Sequence, residues 1–119
     1  MRKHKLLIRN RPFVAIRKKL KTIEVRANKK VGRLDYSKII VGDLIIFINQ
    51  ETMEQQICEV ERITHYLDLR TLLEIEGTEN TLSSGGDIEA GIKSIESITN
   101  YKKAIEMKGV FAIKIKSMK

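Results

Sequence analysis

Alternation of apolar and polar side chains predicts five β-strands along the chain. Successive side chains of a strand point to opposite faces, so a covered face appears as an apolar residue at every second position. The longest such segment changes phase near Glu61 and Arg62, which indicates a β-bulge. Another segment is almost entirely apolar and is expected to be covered on both faces. The predicted strands are residues 4–10, 21–28, 44–50, 54–66 and 109–116.

A helical repeat of apolar residues separates these strands. Phe13, Ile16 and Leu20 recur at helical spacing after Pro12, a residue that suits the first turn of a helix. Two further amphipathic helices are predicted, the first ended by a glycine and the second begun by an aspartate. Residues 79–86 are expected to form a loop. The predicted helices are residues 11–20, 67–77 and 87–98, with a short helical or irregular link at 100–108.

The order of these elements predicts an α+β fold. A strand and a helix come first, followed by three strands, two or three helices and a last strand. Several strands with few crossover helices are typical of a small, mostly antiparallel β-barrel with helices packed outside. A chain of 119 residues fits one domain, so residues 1–119 are expected to form a single unit.

Cysteine content and hydropathy narrow the setting of the protein. The one cysteine, Cys58, can form no intrachain disulfide and no cysteine-based zinc cluster. We expect it to be a buried apolar residue of a reduced, cytoplasmic protein that needs no metal or other cofactor. The apolar runs are far shorter than a bilayer requires, so no membrane partner is expected.

Charge is distributed unevenly along the chain. The net charge of +8 combines +12 over residues 1–40, −9 over residues 41–100 and +5 over residues 101–119. If the fold brings the two basic ends together, they form a cationic surface suited to phosphates. The alternative is two separate solvated faces, and charge alone leaves both open.

The segment 21–26, KTIEVR, carries the leading candidate site. In a strand its two apolar side chains point to one face, and Thr22, Glu24 and Arg26 point to the other. Glu24 and Arg26 then lie about 7 Å apart along the backbone, so the carboxylate can orient the guanidinium toward a phosphate or a base edge. The alternative is a solvated ion pair that contributes less than about 1 kcal/mol. The alternation does not decide between them.

Other candidate groups have simpler interpretations. His4 and His65 have no nearby serine or cysteine with which to form a catalytic triad, so structural roles are expected. The segment Ser83–Gly86 precedes a helix but lacks the spacing of a phosphate-binding loop, and a plain loop is expected. Three carboxylates near the second helix are expected to be exposed: Glu74, Glu76 and Glu79.

Aromatic side chains are few, with three phenylalanines, three tyrosines and no tryptophan. A broad surface for single-stranded nucleic acid uses several exposed aromatic rings. The composition therefore favours a small pocket for one nucleotide or base. The residues expected to stack there are Tyr36, Tyr66 and Tyr101.

Four segments resemble, in order, the ASCH domain, a small member of the PUA-like superfold. Residues 21–26 are similar to the end of the family's G-x-K-x-x-E-x-R strand, and Lys19 stands where that pattern has its glycine. The other similar segments are the strand IIVGDLIIFIN (39–49), the acidic helix YLDLRTLLEIEG (66–77) and the closing strand GVFAIKI (109–115).

The resemblance implies a PUA-like barrel whose cleft is lined by the polar face of KTIEVR and takes RNA, a nucleotide or a modified nucleoside. In this hypothesis Arg26 holds a phosphate or base, Glu24 orients Arg26, and Lys21 supplies charge. The other residues expected to contact the ligand or to form a cationic rim are Lys18, Lys19, Thr22, Lys29, Lys30, Arg33 and Tyr66.

Two other functions remain open. The domain is similar to small bacterial amidohydrolases of acetylated cytidine, in which a K-x-x-T-x-R strand and a later glutamate are catalytic. Glu24 stands at the threonine position here, and the resemblance leaves Glu74, Glu76 and Glu79 as alternatives for the later glutamate. A hydrolase of a modified nucleoside or of single-stranded RNA would use Lys21 and Glu24 as acid and base. The third hypothesis is a protein-interaction module, which predicts an exposed apolar patch on the helices. The oligomeric state is left open.

Overall fold

The computed structural model describes residues 2–28, 34–83 and 85–118. The described residues form five strands and five α-helices, with a 3₁₀ turn at Tyr36–Lys38. The strands are β1 (Lys3–Ile8), β2 (Ile23–Arg26), β3 (Leu44–Asn49), β4 (Gln55–Tyr66) and β5 (Val110–Ser117). The helices are α1 (Asn10–Arg17), α2 (Leu69–Glu76), α3 (Thr78–Thr81), α4 (Ile88–Glu96) and α5 (Tyr101–Lys108).

The strands form one sheet in the order β1-β3-β4-β5-β2. β1 pairs with β3 in parallel, whereas the other three pairings are antiparallel. The sheet curls into a half-barrel with helices packed around it, which confirms the predicted α+β fold with a mostly antiparallel sheet.

One apolar cluster lies on each face of the sheet. The inner cluster joins side chains of β1, β3, β4 and β5 to Phe13 and Ile16 of α1. The outer cluster joins β2 and β5 to α2, α4 and α5, through Val110 and Ala112 among others. The sheet therefore has helices over only one end of its outer face, since this cluster includes no side chain of β1 or β3.

The predicted bulge in β4 is present and decides which side chains face inward. The pairing register with β5 shifts between Val60 and Arg62. Val60 lies in the inner cluster before the shift, and after it Ile63 and His65 pair with the inward Ile113 and Phe111. Without the extra residue, the strand would turn Arg62 inward and His65 outward.

Three details differ from the sequence-based expectations. α1 ends at Arg17, because the chain turns at Lys19 in a left-handed conformation (φ 63°), and Leu20 is consequently exposed. Part of the predicted loop 79–86 is helical in α3, which follows α2 directly after Gly77. β3 is fully covered on one face only, and its outward side chains are half-buried.

Local capping explains why α2 and α4 begin at Leu69 and Ile88, two residues and one residue after the predicted starts. The carboxylates of Asp68 and Asp87 accept hydrogen bonds from the backbone N–H groups of Thr71 and Ala90, three residues into each helix. Gly77 ends α2 with a φ of 88°, a conformation that an L side chain rarely adopts. No helix among the described residues is both long and apolar enough to cross a bilayer.

Candidate functional site

Lys21 is buried and makes all its polar contacts inside the protein. Its Nζ donates hydrogen bonds of 2.6 Å to the carbonyl oxygens of Ile23 and Thr81, and it lies 3.4 Å from Oε1 of Glu24. Burial lowers the pKa of Lys21, and the nearby Glu24 carboxylate offsets only part of that effect. The ammonium therefore anchors β2 to α3.

Glu24 is buried between two cations. Its Oε2 accepts a hydrogen bond of 2.8 Å from Nε of Arg26 and forms an ion pair with Nη2 at 2.7 Å, while its Oε1 faces Lys21. Burial alone would raise the pKa of Glu24, but the charges of Arg26 and Lys21 outweigh it and hold the pKa below its ordinary value. The carboxylate is thus ionised at neutral pH.

Arg26 is the member of this cluster that approaches the surface. Its side chain keeps 17% of its exposure, and its Nη1 lies 3.5 Å from the hydroxyl of Tyr36. Glu24 occupies Nε and Nη2 and raises the pKa of Arg26 against the effect of burial. The guanidinium is therefore fixed and charged, with Nη1 directed away from Glu24.

An open depression of about 500 Å³ lies on the inner face of the sheet, and its lining includes Phe111, the strand neighbour of Arg26. The pairing register places Arg26 next to Phe111 on β5, and Phe111 next to His65 on β4. Among the described residues, the lining contains a cation and neutral polar or apolar groups, and no carboxylate lines it directly. The lining residues are Asn28, Ser37, Ile63, His65, Lys108 and Phe111.

His65 forms one wall of the depression. Its Nε2–H donates a hydrogen bond of 2.8 Å to the carbonyl oxygen of Lys108, so in the neutral ring Nδ1 carries the lone pair. The ring centroid lies 4.9 Å from that of Phe111, with the rings tilted by 51°. Gly109 permits this approach, because a Cβ there would lie 2.5 Å from Nε2 of His65 and from the carbonyl oxygen of Tyr66.

Hydrogen bonds close the opposite rim. Asn28 donates to Asp35 at 2.8 Å and accepts from the backbone N–H of Tyr36, and Ser37 donates to Asp35 at 2.6 Å. The hydrogen bond from the Ser37 hydroxyl is the main cause of the lowered pKa of Asp35. These contacts tie together the ends of the segment that carries three predicted rim residues. Those residues, Lys29, Lys30 and Arg33, lie outside the described part of the chain.

The remaining predicted site residues are dispersed. Lys18 and Lys19 are exposed just after α1, and Thr22 is half-buried, with its backbone bonded to Asn80 and Ile115. Tyr66 belongs to the outer face, where its hydroxyl donates to Oε2 of Glu76 at 2.6 Å. Of the tyrosines proposed for stacking, Tyr36 and Tyr101 are buried.

The expectation that Glu76 is exposed was wrong, although Glu74 and Glu79 are exposed as predicted. Arg62 binds the Glu76 carboxylate through both terminal nitrogens, at 2.8 and 2.7 Å. Hydrogen bonds from Arg62, against the effect of burial, lower the pKa of Glu76. This pair fastens the end of α2 to β4.

Sequence reasoning missed the depression itself, because its lining comes from four separated segments. The one available signal was the phase shift in β4, which implies that His65 points inward with Ile63. Cys58 is buried in the inner cluster as expected. Within the described residues, no group of three histidine, cysteine or acidic side chains is placed to hold a metal ion.

Comparison with known proteins matches residues 6–119 to the model of the ASCH domain. The crystal structure of the hypothetical protein PH0355 is 28% identical, with a TM-score of 0.81 over 98% of this chain and 99% of that one. The solution NMR structure of protein PF0455 from Pyrococcus furiosus is 26% identical, with a TM-score of 0.75 over 98% of both chains. A search of curated proteins gave no match.

Proposed function

Because the chain belongs to the ASCH domain family, we propose that it binds RNA or a nucleotide in the depression beside Arg26. The observation that carries this proposal is that a fixed guanidinium on β2 lies beside Phe111, which lines a partly aromatic depression together with Lys108. A volume of about 500 Å³ lies within the range of small-ligand sites and suits a single nucleotide unit.

The two sides of the depression offer different interactions to a ligand. His65 and Phe111 present ring surfaces on which a base can stack, and the free Nδ1 of a neutral His65 can accept a hydrogen bond from an exocyclic amine. Lys108 and Arg26 supply positive charge for a phosphate. An anionic ligand with one flat ring satisfies both sides.

In this proposal Lys21 and Glu24 position Arg26. Nearly every donor and acceptor of these two groups is already used within the protein, and the ionised Glu24 has no proton to give. Their contacts favour this role over acid–base work, and hydrolysis by them remains a prediction for assay. Lys18, Lys19 and the basic segment containing Lys29, Lys30 and Arg33 would attract phosphates from a distance.

The test compares binding of a fluorescent single-stranded RNA, a hairpin RNA and a nucleoside monophosphate by anisotropy and calorimetry. His65→Ala removes the stacking wall and is expected to weaken binding about 5- to 150-fold, the range for one base stacked on a ring. Lys108→Ala is expected to reduce the slope of log affinity against log salt by about one. Both side chains are exposed, so the fold should survive.

Lys103→Ala is the matched control, since Lys103 is an exposed lysine on the same helix that does not line the depression. If His65→Ala and Lys108→Ala change binding no more than Lys103→Ala does, the ligand binds elsewhere on the protein. Absence of binding to any of the three probes would remove the proposal. Acetylcytidine and the single-stranded RNA, incubated in parallel and analysed for product, test the hydrolase alternative.

A further inference from the structure

One part of the outer sheet face has no helix over it in the described structure. The helices of the outer cluster pack against β2, β5 and the end of β4, leaving β1, β3 and the beginning of β4 uncovered. We define the open face as the outward side chains of this part. They are Lys3, Lys5, Leu7, Leu44, Ile46, Ile48, Gln55, Ile57 and Glu59.

The open face is apolar at its centre. Ile46 pairs in register with Ile57, and Ile48 pairs with Leu7. Leu7 is 60% exposed and Ile57 is 40% exposed, and the two β3 side chains between them are half-buried. Contiguous exposed apolar groups on a sheet are a feature of interaction surfaces.

The open face ends at a strand whose outer edge is unpaired among the described residues. The backbone N–H groups of Leu44 and Gln50 donate to the carbonyl oxygens of Arg2 and Ile8. In this parallel pairing the even-numbered residues of β1 bond to β3, so the N–H and C=O groups of Lys3, Lys5 and Leu7 point away from the sheet. These groups can accept a further strand.

The lysines of β1 favour an acidic partner strand over a second copy of β1. An antiparallel pairing of β1 with a second copy centred on Lys5 would set the two Lys5 side chains directly opposite each other, which is destabilising. Lys3 and Lys5 lie on the open face together with Leu7. A strand bearing carboxylates opposite the lysines would be attracted by the same charges that discourage self-pairing.

We propose that the edge of β1 and the open face bind an extended segment of a partner protein by strand addition. Opposite Lys3, Lys5 and Leu7 the segment carries two acidic residues and one apolar residue. Its intervening side chains lie beside the inward His4 and Leu6 and are apolar. Read along β1 from Lys3, the partner pattern is acidic, apolar, acidic, apolar, apolar.

The probe is a synthetic peptide with that pattern, built from glutamate and valine, beside a scrambled peptide of the same composition. Amide hydrogen exchange on the full chain gives the readout. In the free protein the amides of Lys3, Lys5 and Leu7 are expected to exchange quickly and those of His4 and Leu6 slowly. The patterned peptide is expected to slow exchange at the three odd-numbered positions at least tenfold, and the scrambled peptide is not.

Charge reversal tests the recognition. Lys5→Glu is expected to weaken binding of the glutamate peptide about tenfold and to favour a lysine-for-glutamate peptide, whereas Lys103→Glu, the same change on α5, has neither effect. Slow exchange of all three odd-numbered amides in the free protein would overturn the proposal, because the edge would already be occupied. A dimer in sedimentation that Lys5→Glu dissociates, or RNA binding lost in Lys5→Glu with no peptide binding, would also overturn it.

Discussion

Replacing Glu24 with glutamine tests how the buried charges of β2 contribute to stability. The carboxylate accepts a hydrogen bond of 2.8 Å from Nε of Arg26, forms an ion pair with its Nη2 at 2.7 Å and faces Lys21 at 3.4 Å. Glutamine has nearly the same shape but no charge. Both cations would then lie in a protein interior without the anion that compensates them, and such a loss is strongly unfavourable.

The size of the stability loss depends on how many hydrogen bonds and how much solvent contact each cation keeps in Glu24→Gln. Removing one partner of a buried ion pair costs about 3 to 5 kcal/mol. Here Lys21 keeps its two backbone carbonyl acceptors, and Arg26 keeps 17% of its exposure, so the lower end applies. We expect Glu24→Gln to reduce the free energy of unfolding by about 3 kcal/mol, out of the roughly 5 to 15 kcal/mol of an average domain.

Urea unfolding at pH 7 measures this change, with Glu106→Gln as the control. Glu106 is exposed on α5, and its replacement is expected to change the free energy of unfolding by less than about 0.5 kcal/mol. Lys21→Met should cost less in the Glu24→Gln protein than in the wild type, because it then removes an uncompensated charge. A loss below about 1 kcal/mol for Glu24→Gln would refute the reasoning.

The same cluster makes a prediction about acid stability. The folded-state pKa of Glu24 lies below its ordinary value of 4.5, so its stabilisation is present above that pH and is lost as pH falls through the folded-state pKa. Glu24→Gln removes this part of the acid dependence. Any loss of turnover or binding in Glu24→Gln must therefore be compared with the folded fraction of the same sample.

Three further predictions concern single positions. Asp43 is buried, and hydrogen bonds from His4 and from backbone N–H groups outweigh the effect of burial and hold its pKa at about 2. The stability that ionised Asp43 contributes is therefore lost as pH falls from 3.8 toward 2. Thermal unfolding of Asp43→Asn is expected to depend less on pH across that window. Lys19→Gly removes the backbone strain of a left-handed residue and is expected to raise the free energy of unfolding, measured in urea, by up to about 1 kcal/mol. Gly109→Ala forces a contact of 2.5 Å with His65 and should lower stability by more than about 2 kcal/mol and displace the imidazole NMR signals; an unchanged spectrum would contradict it.

Much of the fold was predictable because its signals are local. The cap at Asp87 and the stop at Gly77 act within one helical turn, so the short sequence around each suffices. The phase shift after Val60 likewise marked the bulge. The end of α1 was harder to predict, because Lys19 adopts a left-handed conformation that residues with a side chain disfavour.

The candidate site was predicted less completely. The sequence paired Glu24 with Arg26 correctly, because side chains two apart on a strand share a face. It did not place Lys21 inside the protein, since the Thr81 carbonyl oxygen that accepts its hydrogen bond comes from α3, 60 residues away. The sequence also failed to predict that Glu76 is buried, because its partner Arg62 lies on another element.

The sequence by itself determined the order and type of most elements, the bulge and the i, i+2 ion pair, because each depends on the period of side chains along one segment. Tertiary structure alone decided which polar groups are buried and which surfaces stay open. Burial depends on what a neighbouring element brings to the other side, and here that element is distant in the chain. The depression beside Arg26 and the uncovered edge of β1 are both consequences of where the helices lie on a single curved sheet.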